Sequence, residues 1–236
     1  MKAPHVSRVS CLRLPLLTAV LAAGMGALSA TAGATVPAGP GAGAGIDPNV
    51  FELALDAAAC AIRAEAVKNP STLTVIDYSK PSTEKRLWVV DLTSREVLYE
   101  ELVAHGQGSG GNLATTFSNT AESHQSSLGL FVTGEAYTGK NGYSLRLDGL
   151  DRGVNDGARA RAIVIHGAPY VSDAFAKAQG RLGRSWGCPA VRDDVARPLI
   201  DLVKGGNLVF AYYPDRQWLR SSSYLGDCAA AAAATR

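Results

Sequence analysis

The sequence predicts a mostly β fold with flanking helices, preceded by an N-terminal helix. Short runs rich in β-branched and aromatic residues predict strands, and turns such as 139–142 and 155–157 separate some of them. The seven predicted strands are Leu73–Tyr78, Arg86–Leu92, Val97–Ala104, Leu128–Tyr137, Tyr143–Leu147, Ala162–Ile165 and Asn207–Tyr213. A composition of 47% hydrophobic and 19% charged residues is typical of an ordinary soluble domain.

The start of the chain has the pattern of an export signal. Basic residues precede the apolar run Leu14–Leu28, and small residues alternate in Ala30–Ala34. We interpret residues 1–32 as a secretory signal peptide and the Gly/Ala/Pro-rich residues 33–45 as a flexible linker. An uncleaved anchor is the alternative. The sequence therefore predicts export by the general secretory route to the periplasm or extracellular envelope, without stable membrane insertion after cleavage.

A helix is predicted directly after the linker. Apolar side chains lie among many alanines in Ile46–Lys68, Asp47-Pro48 is typical of a helix start, and Asn69-Pro70 is typical of an end. The predicted divisions are thus a helical segment at 46–70, one catalytic domain at 71–215 and a C-terminal tail at 216–236. The tail contains a low-complexity alanine run at 229–234, which is predicted to be disordered.

Two shorter helices are predicted later in the chain, at Ser172–Gln179 and Asp193–Lys204. Asp193 or Asp194 can cap the second of them. Between the two helices lies a glycine-rich segment that contains Cys188.

Three cysteines, Cys60, Cys188 and Cys228, remain after the predicted signal peptide. An odd number is unusual in a compartment that favours disulfides. Cys188 lies in a polar, glycine-rich setting, which predicts a free reactive thiol. Cys60 and Cys228 either form a bridge or are both free.

One histidine and one cysteine in a short stretch predict a thiol active site. A cysteine attacks carbonyl carbon as a thiolate, and a neighbouring imidazole lowers the thiol pKa and accepts the proton. His166, at a strand end, suits a general base for Cys188. Gly187 permits a tight turn, and the amides from Ser185 to Cys188 can donate to an oxyanion. The alternatives are a buried structural cysteine with a hydrogen-bonded histidine, or a zinc site, for which no ligand pair has tight spacing.

Several nearby side chains are candidates for binding a substrate. Arg184 and Arg192 could each hold a carboxylate, and the sequence does not rank them. Trp186 and Tyr170 could wall a groove. His124 could line the same groove, although solvated loop positions are the default for both His124 and His105. A net charge of +2 without basic runs predicts no nucleic-acid partner.

These motifs resemble the L,D-transpeptidase catalytic domain of the YkuD type. The resemblance covers roughly Leu73–Tyr213 and rests on a His-Gly pair followed by a Ser-x-Gly-Cys element. The matching segments are His166-Gly167, Ser185-Trp186-Gly187-Cys188, Phe117–Asn119, Ser126–Gly129 and the region from Leu147 to Asp156. The resemblance implies a β-sandwich fold without metal or organic cofactor.

The resemblance also implies an activity. A peptidoglycan stem tetrapeptide would be cleaved before its terminal D-alanine, and the acyl group would pass to an amine. Cys188 would be the nucleophile, His166 the base, and the carbonyl of Gly167 would orient that histidine. Ser185 and Gly187 would shape the oxyanion site.

Two positions depart from the family pattern. Trp186 stands where many members have histidine, and Ala190 stands where they have arginine, so the substrate anchor is less well defined than the nucleophile. An L,D-carboxypeptidase or cross-link hydrolase with the same site, and a catalytically silent cell-wall-binding module, are the alternative functions. The sequence leaves the oligomeric state unknown, with a monomer as the default.

Overall fold

A computed structural model of the protein describes residues 43–226 and 228. The predicted signal peptide, the alanine run 229–234 and all but the last three residues of the predicted linker lie outside the described residues. Within the described part of the chain, the strands are β1 Thr72–Asp77, β2 Leu87–Asp91, β3 Val97–Glu101, β4 Gly129–Gly139, β5 Gly142–Gly149, β6 Val164–Gly167, β7 Ala190–Val191 and β8 Leu208–Tyr212.

The mostly β prediction and all seven predicted strands are confirmed. Only β7 was not predicted, because two residues after Pro189 are too short to display an alternating pattern. The strands form a single sheet in the order β3-β2-β1-β8-β4-β5-β6-β7.

The sheet curls until its two ends approach each other. Ala104, just after β3, exchanges backbone hydrogen bonds of 2.8 and 3.4 Å with Ala190 in β7. A second bridge joins Gly106 to Ser185. The two layers of the predicted sandwich are therefore opposite walls of one sheet, and the sheet edge that carries Cys188 is covered rather than free.

The centre of the sheet is buried on both faces. All six residues of β1 are buried, and β1 pairs parallel with β8 and antiparallel with β2. A strand covered on both sides is expected to be a nearly continuous apolar run. Strand β8, with the sequence Leu-Val-Phe-Ala-Tyr, fits this, whereas β1 also buries Thr72, Thr74 and Asp77. The largest fully buried side chains of this core include Trp88, Tyr78 and Phe210.

Helix α1 spans Pro48–Arg63, within the predicted Ile46–Lys68. Asp47 accepts hydrogen bonds from the amides of Asn49 and Val50, and Pro48 occupies the first turn, where its missing N–H costs nothing. The helix buries an alanine-rich face against the sheet.

The shorter helices α2 Asp173–Gln179 and α3 Asp193–Val203 are also confirmed. The predicted cap of α3 is wrong. Arg192 occupies the N-cap position without a side-chain hydrogen bond. Both aspartates lie in the first turn, where their negative charges interact favourably with the positive end of the helix dipole. A further helix, α4 Arg216–Ser221, lies in the segment predicted as a tail.

The segment after α4 is tied back to the domain. Cys60 in α1 and Cys228 form a disulfide, which selects the first of the two alternatives. Asp151 accepts hydrogen bonds from Ser222 and from the amides of Ser223 and Leu130. In the described part of the chain, no helix is both long and apolar enough to cross a membrane.

Candidate active site

An open cavity of about 340 Å³ lies where β6 and the segment before β7 meet. Both predicted catalytic side chains line it, together with three of the predicted substrate-binding residues. Its lining residues are Lys140, Asn141, His166, Tyr170, Arg184, Ser185, Trp186 and Cys188.

The parallel pairing of β6 with β7 brings the two catalytic candidates together. His166 is in register with Ala190, and its amide donates to the carbonyl of Pro189 over 3.4 Å. Cys188 lies two residues before that register position. His166 and Cys188, twenty-two positions apart in sequence, are thus brought to one edge of the sheet.

The loop that carries Cys188, residues 185–188, is held from inside by Ser185. Its hydroxyl donates to the carbonyl of Cys188 over 2.6 Å and accepts from the amide of Gly187 over 3.1 Å. Gly187 has φ of 120°, a conformation that side-chain-bearing residues rarely adopt. The amide of Gly187 is occupied by Ser185, whereas the amides of Trp186 and Cys188 have no hydrogen-bond partner among the described residues. These two amides are therefore the candidates for binding an oxyanion.

The sulfur of Cys188 is nearly buried, with 8% of the residue exposed. The amide of Val164 donates to Sγ over 3.4 Å, and Sγ lies 3.6 Å from the carbonyl oxygen of Ala162, to which a thiol proton can donate. Burial raises the pKa of the Cys188 thiol, while the Val164 amide and the charge of Arg161 act to lower it. The expectation of a lowered thiol pKa is therefore wrong for this resting arrangement, because desolvation outweighs both stabilising contacts.

The imidazole of His166 is oriented by its own neighbour. Nδ1 lies 2.8 Å from the carbonyl oxygen of Gly167, so Nδ1 carries the hydrogen and Nε2 is left to accept a proton. Burial lowers the pKa of His166, and the carbonyl of Gly167 and the charge of Asp193 partly offset this effect. Within the described residues, no hydrogen bond joins this imidazole to the sulfur of Cys188. At neutral pH the raised pKa of Cys188 and the lowered pKa of His166 therefore favour a neutral thiol and a neutral imidazole.

The two arginines that sequence could not rank occupy different places. Arg184 lines the cavity and donates to the carbonyl of Gly110 over 2.9 Å. Arg192 does not line the cavity, because both arms of its guanidinium bind the carboxylate of Glu101 at 2.8 and 2.9 Å. Arg184 is therefore the candidate cation for a substrate carboxylate.

Trp186 stands at the cavity with 68% of its surface exposed. Its ring stacks on the imidazole of His124, with centroids 4.9 Å apart and planes inclined by 15°. His124 thus supports the aromatic wall from behind and does not itself line the cavity. Tyr170 closes another side, against Gly183, where an added Cβ would lie 2.4 Å from that of Tyr170.

A family match supplies the context for this geometry. The model of the L,D-transpeptidase catalytic domain matches residues 42–212. The chain belongs to this family. No curated protein sequence matches the chain. In this L,D-transpeptidase domain, His166 of the His-Gly pair and Ser185, Trp186 and Cys188 of the Ser-x-Gly-Cys element line the cavity.

Solved L,D-transpeptidases resemble the chain only distantly. One from Mycobacterium smegmatis is 16% identical, with a TM-score of 0.39, over 61% of this chain and 59% of that one. L,D-transpeptidase 3 from Mycobacterium tuberculosis is 12% identical, with a TM-score of 0.40, over 61% of each chain. One from Xylanimonas cellulosilytica is 14% identical, with a TM-score of 0.38, over 62% and 63%. The chain thus spans less than two thirds of the length of each.

Sequence reasoning missed three contributors to the site of this L,D-transpeptidase domain. Lys140 and Asn141 come from the β4–β5 turn, which was predicted only as a turn. Arg161 acts electrostatically on Cys188 from the loop before β6. Nothing in the sequence marks these residues, since polar side chains in turns are ordinarily solvated.

His105 is a correction to the sequence analysis. It was predicted to be a solvated loop residue, but it is fully buried, and its Nδ1 accepts from Arg86 over 2.8 Å. Burial and the charge of Arg86 lower the pKa of His105 to about 4. Among the described residues, no cluster of three or more His, Cys, Asp or Glu side chains is arranged to hold a metal ion.

Proposed function

We propose that the protein is an exported L,D-transpeptidase that acts on peptidoglycan stem peptides through a thioester on Cys188. The observation that carries the proposal is the shared cavity of Cys188 and His166, on a loop that Ser185 braces from within. Membership of the L,D-transpeptidase family supports the class of reaction.

The proposed chemistry starts from the neutral pair. The Cys188 thiol gives its proton to Nε2 of His166, and Sγ attacks the carbonyl carbon before the terminal D-alanine. Charge that develops on the carbonyl oxygen is stabilised by the amides of Trp186 and Cys188. The C–N bond then breaks, the amine of D-alanine takes the proton from His166, and a thioester remains on the enzyme.

An acceptor amine resolves the thioester in the second half of the reaction. His166 removes a proton from the attacking amine, the new amide bond forms, and the C–S bond breaks. The departing sulfur recovers the proton, which regenerates the thiol. Because the imidazole is neutral in the resting state, it can serve as the base at the start of each half-reaction.

Two cations at the cavity suit the terminal carboxylate of such a stem peptide. Arg184 and Lys140 both line it, and an arginine can bind a carboxylate in a two-pronged manner. We assign substrate anchoring to Arg184 and an outer wall of the acyl-donor groove to Trp186, with Tyr170 opposite.

Export is part of the proposal. The disulfide between Cys60 and Cys228 supports it, because such bonds persist in oxidising compartments outside the cytoplasm. We therefore place the working enzyme in the periplasm or extracellular envelope, after removal of residues 1–32 as a signal peptide.

The test is mass spectrometry of defined muropeptides incubated with the purified protein and an amine acceptor. The expected products are free D-alanine and an acyl–acceptor adduct, and a Cys188→Ala variant should yield neither. D-alanine release without an adduct would indicate a hydrolase instead of a transferase. Equal release by the alanine variant would exclude the thioester mechanism.

A further inference from the structure

We propose that Arg161 is a positioning residue whose guanidinium supplies the fixed positive charge that stabilises the Cys188 thiolate. The proposal deepens the function argued above, since it rests on Cys188 being the nucleophile. It assigns to Arg161 the charge that an imidazolium would otherwise provide.

Arg161 is anchored by neutral groups only. Its Nη1 donates to the carbonyl of Ser118 and the hydroxyl of Ser127, both over 2.6 Å. Its Nη2 donates to the carbonyl of Gln125 over 2.6 Å and the hydroxyl of Ser123 over 3.2 Å. In the described part of the chain, no carboxylate lies within ion-pair distance of this guanidinium, so its charge is uncompensated.

The same guanidinium lies beside the loop that carries Cys188. A Cβ built on Gly187 would lie 3.4 Å from Nη2 of Arg161. The next residue, Ala162, has φ of 54°, a conformation unfavourable for alanine, and its carbonyl oxygen lies 3.6 Å from Sγ of Cys188. Ala162 therefore contacts the sulfur of Cys188, and the guanidinium of Arg161 lies at van der Waals distance from the place that a side chain at position 187 would occupy.

The contacts predict what happens when the thiol ionises. The neutral thiol can donate to the Ala162 carbonyl, whereas a thiolate has no proton to give. The thiolate keeps the hydrogen bond from the Val164 amide and is stabilised further by positive charge nearby. Burial raises the pKa of Cys188, and the charge of Arg161 acts to lower it. Burial lowers the pKa of Arg161, and the charge of Cys188 acts in the opposite direction. An opposite charge at short range favours the ionised form of both partners.

The other groups that face Cys188 are less suited to this role. His166 has a lowered pKa and makes no hydrogen bond to the sulfur among the described residues, and burial raises the pKa of Tyr78 and Tyr170 to about 12, so both tyrosines are neutral. Lys140 and Arg184 also line the cavity, but Arg161 is the cation whose charge acts on the pKa of Cys188.

The test measures thiolate formation directly, without a substrate. The rate of Cys188 alkylation by iodoacetamide, an uncharged reagent, is followed against pH in the wild type and in variants, with Cys60 and Cys228 kept oxidised. Arg161→Gln should raise the midpoint by about one pH unit, a tenfold loss of thiolate at fixed pH. Arg161→Lys keeps the positive charge, so its midpoint should lie close to that of the wild type.

A matched control separates charge from loop anchoring. Ser127→Ala removes one hydrogen-bond partner of Arg161 and leaves the guanidinium in place. The midpoint of Cys188 alkylation in this variant should therefore equal that of the wild type. A shift in Ser127→Ala as large as that in Arg161→Gln would overturn the proposal, because anchoring alone would then explain both.

His166→Gln provides a second measurement that does not depend on Arg161→Gln folding. If Arg161 supplies the charge, this variant should move the midpoint by less than about half a pH unit. A rise of one unit or more would identify an imidazolium as the counter-charge and overturn the proposal. Both readouts concern ionisation of the sulfur, so they stand apart from whether peptidoglycan is the substrate.

Discussion

Cys60 in α1 and Cys228 near the C-terminus, 168 positions apart, are joined by a disulfide with their Cα atoms 5.6 Å apart. The bridge closes a loop that contains the whole curled sheet. It connects the first helix of the domain to the segment that follows α4.

Breaking this bridge should destabilise the domain, because the unfolded chain would regain the freedom that the long loop removes. We expect Cys228→Ser to lower the free energy of unfolding by about 3 kcal/mol, measured by urea denaturation. Reductant should lower the stability of the wild type by a similar amount and leave the variant unchanged. A variant as stable as the oxidised wild type would contradict this.

Ser185 should matter for the rate more than for stability. Ser185→Ala removes the bonds to the carbonyl of Cys188 and the amide of Gly187, so the nucleophile and the oxyanion donors lose their fixed positions. We expect kcat/KM for D-alanine release to fall by about 100-fold. Ser185→Thr, which keeps the hydroxyl, is the control and should retain most of the rate.

Trp186 should affect substrate binding. Because 68% of the residue is exposed, Trp186→Ala should change the free energy of unfolding by less than about 0.5 kcal/mol. Loss of the aromatic wall should raise KM by about tenfold with little effect on kcat. Trp186→Phe keeps a ring and should keep most of the affinity. A fall in kcat alone would show that Trp186 acts on the chemical step instead.

The acid limb of the pH–rate profile should report His166. A general base must be unprotonated, and burial lowers the pKa of His166, so activity should persist below the ordinary histidine value of about 6.5. The negative charge of Asp193 favours the protonated form, so Asp193→Asn should move the limb to still lower pH. The control is Asp194→Asn. In the wild type the carboxylate of Asp194 pairs with Arg192, so this variant should leave the acid limb of the profile in place.

Stability should fall in acid because of buried His105. Its pKa is lowered to about 4, whereas the unfolded chain binds a proton near pH 6.5. Between these values the unfolded state holds more protons, so stability decreases as pH falls from about 6.5 to 4, by up to about 3 kcal/mol. His105→Asn, which keeps an acceptor for Arg86, should flatten this dependence. His124→Gln, at a partly exposed site, should retain it.

The raised pKa of Cys188 means that thiol alkylation cannot distinguish an enzyme from a silent binding module. A thiol with a lowered pKa is alkylated fast near neutral pH, and such a rate would separate an enzyme from a silent binding module. Because burial raises the pKa of Cys188, slow alkylation is expected of the free enzyme as well. Product analysis, not thiol reactivity, therefore separates these two functions.

Much of the fold was predictable because its signals are local. The β-branched runs of β1 and β8 and the Asp47-Pro48 start of α1 depend on neighbours in sequence, which any reader of the chain can see. The two-residue β7 and the buried state of His105 depend on distant partners, Ala104 and Arg86. No local pattern encodes such contacts.

By itself, the sequence determined that Cys188 and His166 would be the reactive candidates, since a cysteine and a histidine among glycines indicate a thiol active site. Only the tertiary structure decided which charges act on them. It bound Arg192 to Glu101, placed Arg161 beside the nucleophile and buried the thiol. The physical reason is that a pKa depends on solvent exposure and on charges a few ångströms away, and both are set by how distant segments pack.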